Sequence, residues 1–96
     1  MKVRWLSSAL EELDRIYDYI AQDNPKAATK VFLRIRGATH QLAQFPHGGR
    51  PGNVKATREL VVSGLPYLVV YRVTEDSVEI LRVLHTAMDR NPPPLH

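Results

Sequence analysis

Arg58, Arg72, Arg82 and His85 fall within the most apolar part of this sequence, alongside Tyr67 and Tyr71. Arginines on three successive strands could grip a phosphate and stabilise charge that builds up as an RNA strand is cut. A histidine or tyrosine beside them could move the proton. The same residues also have a structural reading. Arg58 and Arg82 could pair with carboxylates such as Glu59 or Glu79 at sheet ends, with His85 closing the last strand. Composition and spacing leave both readings open.

Other chemistries find less support. The histidines are His40, His47, His85 and His96, and none forms a helical H-x-x-x-H pair or lies at ligand spacing from a carboxylate. Cysteine is absent, which removes thiolate chemistry, disulfides and cysteine-based zinc sites. Gly48-Gly49-Arg50-Pro51-Gly52 is glycine-rich and basic, but it lacks the phosphate-loop signature and its proline removes an amide donor. It reads as a connector. Glu11, Glu12, Asp14 and Asp18 fit the solvated face of a helix rather than an acid–base pair. Ser7, Ser8, Ser63 and Ser77 have capping or turn explanations.

The elements that must carry these residues follow from pattern. The alternation in Lys2–Leu6 suits a short strand. Ser8 and Glu11 form an S-x-x-E capping box, and Leu10, Leu13, Ile16 or Tyr17, and Ile20 recur at helical spacing to about Ala21. Asn24-Pro25 signals a second helix start. Ala28, Val31, Ile35, Ala38, Leu42 and Phe45 then predict a helix that stops at Pro46. So short a gap folds the two helices into an antiparallel hairpin. Pro46–Ala56 is a loop, and strands follow over Thr57–Val62, Tyr67–Val73 and Val78–Leu84. The last two are apolar at both parities, which places them centrally in the sheet. The expected fold is α+β with the order β-α-α-β-β-β: a helical hairpin on one face of a small, mainly antiparallel sheet, the other face partly open.

A chain of 96 residues holds one core, so residues 1–90 are expected to form one domain with a proline-rich tail over 91–96. No apolar run reaches the ~18 residues that cross a bilayer, and no signal-type segment opens the chain. The expected location is the cytoplasm, without membrane contact. The net charge of +3 is unevenly spread, since residues 24–58 carry seven cations and no acid. Such a patch suits nucleic acid or an acidic protein.

Five segments in order resemble one family. They are Y-D-Y-I-A-x-D-N-P at Tyr17–Pro25, F-P-H-G-G-R-P-G at Phe45–Gly52, T-R-E-L-V-V at Thr57–Val62, L-V-V-Y-R-V at Leu68–Val73 and V-E-I-L-R-V-L-H-x-x-M-D at Val78–Asp89. Together they resemble the RelE/ParE superfamily of bacterial type II toxins over nearly the whole chain. The resemblance implies a toxin silenced by a cognate antitoxin, a small dimeric DNA-binding protein whose C-terminal segment wraps it. It implies either of two activities, neither needing a cofactor. RelE-like members cleave mRNA on the ribosome, and ParE-like members poison DNA gyrase without chemistry of their own. Arg58, Arg72, Arg82 and His85 match signature positions and would be the nuclease candidates. RelE-like members carry an arginine just before the V-Y pair, where this chain has Leu68, and the ending Arg82–Asp89 is closer to ParE-like members. The ParE-like reading therefore leads. It makes Arg50, Lys55, Met88, Asp89 and Arg90 the target-contact candidates. Leu13, Tyr17, Val31 and Ile35 in the helical hairpin are the antitoxin-contact candidates.

Overall fold

The computed structural model of the chain describes residues 1–87. Strand β1 (Lys2–Trp5) leads into α1 (Ser7–Ala21) and α2 (Pro25–His40). A 3-10 turn at Gln41–Ala43 precedes β2 (Arg50–Pro51), β3 (Arg58–Val61), β4 (Tyr67–Val73) and β5 (Ser77–His85). The sheet order is β1-β5-β4-β3-β2. β1 runs parallel to β5 and every other pairing is antiparallel. The α+β expectation holds, and β5 and β4 do lie inside the sheet. The helices pack on one sheet face, where Ala9, Leu13, Ile35 and Leu42 meet Tyr67, Val69, Tyr71, Val78, Ile80 and Val83. The tail over 91–96 lies outside the described residues.

Local signals succeed and fail for identifiable reasons. Asn24 caps α2 as expected, its Oδ1 accepting the Ala27 amide at 3.1 Å with Pro25 in the first turn. The Ser8–Glu11 capping box does not form. α1 starts at Ser7, Leu6 occupies the cap position without a side-chain bond, and Ser8 donates to the Leu81 carbonyl at 2.8 Å. α2 stops at His40 instead of reaching Phe45, because the backbone tightens into the 3-10 turn while Leu42 stays buried. β2 lies in a segment whose glycines and prolines predict a loop. Its two residues pair with Glu59 and Arg58.

The helices are tied to the sheet where β1 ends. β1 covers β5 only from Ser77 to Ile80. Beyond that, the edge of β5 is served by the start of α1. The Leu6 amide donates to Ile80 O at 3.0 Å, and Ser8 Oγ donates to Leu81 O. Glu12 Oε1 accepts the Val83 amide at 2.9 Å. A side-chain carboxylate thus does what a neighbouring strand would do. The pairing of Tyr71 with Ile80 and of Val70 with Arg82 leaves Leu81 as an extra residue on β5. This bulge falls where β1 hands the edge to α1, the kind of position where bulges re-aim a strand.

A second anchor holds the Pro46–Gly52 loop. The buried Tyr71 hydroxyl donates to Pro46 O and accepts from the Gly49 amide, both at 2.8 Å. Gly49 lies so close that an added Cβ would stand 2.6 Å from Glu59 O.

Removing either anchor should be measurable by urea denaturation. Tyr71→Phe leaves a buried amide and a carbonyl without their partner, and a loss of about 1–3 kcal/mol is expected. Glu12→Ala exposes the β5 edge and should cost a similar amount. Glu12→Gln keeps an acceptor for Val83 and should cost clearly less. Equal losses for the two Glu12 variants would mean that the edge bond is not what matters.

Candidate functional site

The three strand arginines do not converge. Arg58 stands opposite Tyr71, whereas Arg72 is the next residue on β4 and so faces the other side of the sheet. Arg58 serves the loop: its Nε donates to Gly49 O at 3.1 Å, and its Nη2 donates to Gly49 O at 2.7 Å and His47 O at 3.2 Å. Arg72 pairs across the strands with Glu79 at 2.5 Å. Arg82 reaches back to α1 and pairs with Glu12 Oε2 at 2.6 Å, not with Glu79. In the last two pairs the arginine is about half exposed and the glutamate largely covered, so the cation sits at the rim of a carboxylate already placed by the fold. Arg58 does not pair with Glu59 either, which takes Arg50 at 3.5 Å instead.

His85 lies in a groove of about 500 Å³ lined by Glu12, Arg15, Ile16, Tyr19, Tyr67, Arg82, Val83 and His85 itself. Its ring meets Tyr67 edge-on, with centroids 5.5 Å apart and planes at 87°. The Ala87 amide donates to Nδ1 at 3.1 Å. That bond assigns the proton of the neutral imidazole to Nε2. The neutral ring then presents a donor at Nε2, while its basic nitrogen is occupied by the backbone. Such a histidine suits holding the strand end or offering a hydrogen bond.

Sequence reasoning misses Glu12, Arg15 and Tyr19 as members of this groove. By pattern, Glu12 belongs to a solvated acidic face. Its partners lie 70 and 71 residues away, so no local spacing could reveal them. Tyr19 is 74% exposed, and its place at helical spacing from Glu12 is the only available signal.

The remaining candidates are scattered. Arg50 sits on edge strand β2, and Lys55 is exposed in the turn between β2 and β3. Met88, Asp89 and Arg90 lie outside the described residues. Among the hairpin residues expected to meet a partner, Leu13 and Ile35 must be corrected. They are 1% and 0% exposed and pack against the sheet, so they have no surface to offer. Their spacing marks the core-facing stripe, which the hairpin needs for its own burial. Tyr17 and Val31 are half-buried, with Tyr17 edge-on to Phe32 at 6.1 Å. The outward apolar side chains of the helices are Leu10, Tyr19 and Leu33. Among the described residues, no group of three His, Asp or Glu could hold a metal ion, and no helix is long and apolar enough to cross a membrane.

Comparison with known proteins agrees with this architecture. The ParE toxin family of the type II toxin-antitoxin system parDE matches residues 3–90. The protein Y4kP of Sinorhizobium fredii is 49% identical over 84 residues, covering 88% of this chain and 86% of its own length. Two Caulobacter vibrioides proteins are also similar. Toxin RelE2 is 41% identical over 90% of this chain and 96% of its own. Toxin ParE3 is 32% identical over 81% and 79%. In three dimensions the fold matches a chain of the chromosomal ParDE system from P. aeruginosa, with a TM-score of 0.81 at 28% identity over 88% of this chain and 95% of that one. It also resembles a chain of the RelBE2 complex from Mycobacterium tuberculosis, with a TM-score of 0.59 at 24% identity over 88% and 95%. The chain belongs to the ParE toxin family of the RelE/ParE superfamily, and is a toxin of the type II toxin-antitoxin class.

Proposed function

We propose that this toxin acts as ParE-like proteins do, by binding DNA gyrase and trapping its cleaved DNA complex, and that a cognate antitoxin neutralises it. One observation carries the choice over RNA cleavage. Arg58, Arg72 and Arg82 are committed to three separate partners, and Arg58 lies on the opposite sheet face from the other two. A cleavage site needs its cations aimed together at the place where charge develops. His85 adds to this, since its Nδ1 is engaged by the Ala87 amide. The match to the ParE family over residues 3–90 supports the same reading.

A second reading has specific support in the 41% identity to a toxin named RelE2. On that reading the chain cleaves mRNA on the ribosome, with Arg82 and His85 in their shared groove as charge stabiliser and proton carrier.

Purified protein added to a gyrase supercoiling reaction should accumulate cleaved DNA and leave mRNA intact on translating ribosomes. Specific cuts in ribosome-bound mRNA, without cleaved DNA, would sink the gyrase reading. His85→Gln gives an independent check by thermal melting alongside growth arrest. It should lower the melting temperature by a few degrees, about what the lost ring contact implies, and leave growth arrest in place. Unchanged melting with growth arrest abolished would favour the ribonuclease.

A further inference from the structure

The loop that carries β2 is built more rigidly than a connector requires. Its first half is fixed from inside by the Tyr71 hydroxyl and by Arg58, whose guanidinium holds the Gly49 and His47 carbonyls. Its second half closes on itself. The Gly52 amide donates to Thr57 O at 2.8 Å, and the Thr57 amide and hydroxyl both donate to Val54 O. Within this turn Ala56 stands at φ 69°, in the left-handed region that is unfavourable for a residue with a Cβ. Strain held in place by the surrounding structure tends to mark functional segments. The turn exposes Val54, at 68%, and Lys55 beside it. The first half exposes Phe45, at 64%, and about half of Arg50 beyond its contact with Glu59. None of these four side chains belongs to the core.

We propose that this surface binds a strand of the cleaved DNA, with Phe45 against an unpaired base and Arg50 and Lys55 against phosphates. The proposal rests on the gyrase reading and adds that the toxin grips the broken DNA as well as the enzyme. Charge sets the partner's sign, since residues 24–58 contain no acid. The arrangement of the side chains sets its class. The centre of a protein–protein interface is apolar and depleted in lysine. Here Phe45 and Val54 are separated in the chain by Arg50, and Lys55 adjoins Val54. Single-strand sites combine cations along the backbone with an aromatic ring on which a base stacks. Pro51 removes an amide from edge strand β2, which blunts it against pairing with another strand. A second copy of this chain would bring the same cations against themselves across a two-fold axis. A loop already held in one shape has little freedom left to lose on binding.

Purified toxin should bind a fluorescent single-stranded DNA oligonucleotide at low salt more tightly than the matching duplex. Phe45→Ala should weaken single-strand binding about fivefold or more. Lys55→Gln should weaken it and reduce the slope of log affinity against log salt by about 0.7. Both side chains are exposed, so the melting temperature of each variant should stay within about 3 °C of the unsubstituted toxin. Unchanged binding by Phe45→Ala, or a preference for duplex, would overturn the proposal. The chain has no cysteine, so Val54→Cys supplies a single thiol for a photoreactive maleimide. In a gyrase supercoiling reaction this probe should form adducts with the cleaved DNA. Adducts on gyrase alone, with cleaved DNA still accumulating, would overturn this inference and leave the gyrase reading standing. No cleaved DNA with the unsubstituted toxin would overturn both.

Discussion

The structure depends on how the uncovered edge of β5 is satisfied. β1 is four residues long and β5 is nine, so about half of the longer strand has no parallel neighbour. An unpaired, partly buried edge is costly and prone to pairing with other chains. Here the first turns of α1 close it, through the Leu6 amide, the Ser8 hydroxyl and the Glu12 carboxylate. These bonds fix where α1 crosses the sheet. That crossing in turn places α2 and the apolar stripe ending in Leu42. The groove around His85 exists because α1 runs beside the end of β5 at this angle. The fold's attachment point and its most chemically furnished surface are therefore the same place.

This overlap explains how the sequence reads. Elements with local signals are legible: the Asn24-Pro25 start, the hairpin gap and the apolar strands Tyr67–Val73 and Val78–Leu84 all stand where pattern puts them. Helical periodicity also finds the right stripe in Leu13 and Ile35. It cannot say whether that stripe faces the chain's own sheet or a partner, because burial is a tertiary property. The serine of the apparent capping box shows the converse. Ser8 has the right spacing to Glu11, but its hydroxyl goes to Leu81, 73 residues away. A long-range acceptor outcompetes the local one, and sequence spacing cannot rank the two. β2 escapes notice because its pairing comes from the loop anchor at Tyr71 and Gly49 rather than from strand propensity.

The arginines show why signature residues in such a fold need not be reactive. Each answers a carboxylate or a loop carbonyl that the fold has already placed. Glu12 and Glu79 are only 14% exposed and Glu59 only 8%, so their cations relieve a real electrostatic demand of the folded chain. Arg58 meets the same need for loop carbonyls that β2 is too short to use. Residues of this kind serve the fold whether or not the protein cuts anything.

The same point limits what loss of toxicity can mean. An Arg82→Ala change leaves a largely covered glutamate beside the strand edge it must also serve, so the expected first consequence is loosening of α1 from β5. A toxin that is partly unfolded loses growth arrest as surely as one that has lost a catalytic group. The two causes separate only when stability is measured on the same variant, or when a substitution keeps the positive charge. Arg82→Lys would keep the charge beside Glu12 but lose the two-nitrogen contact of the guanidinium. A structural arginine tolerates that exchange in proportion to the stability it restores, whereas one that clamps a phosphate depends on the planar fork itself.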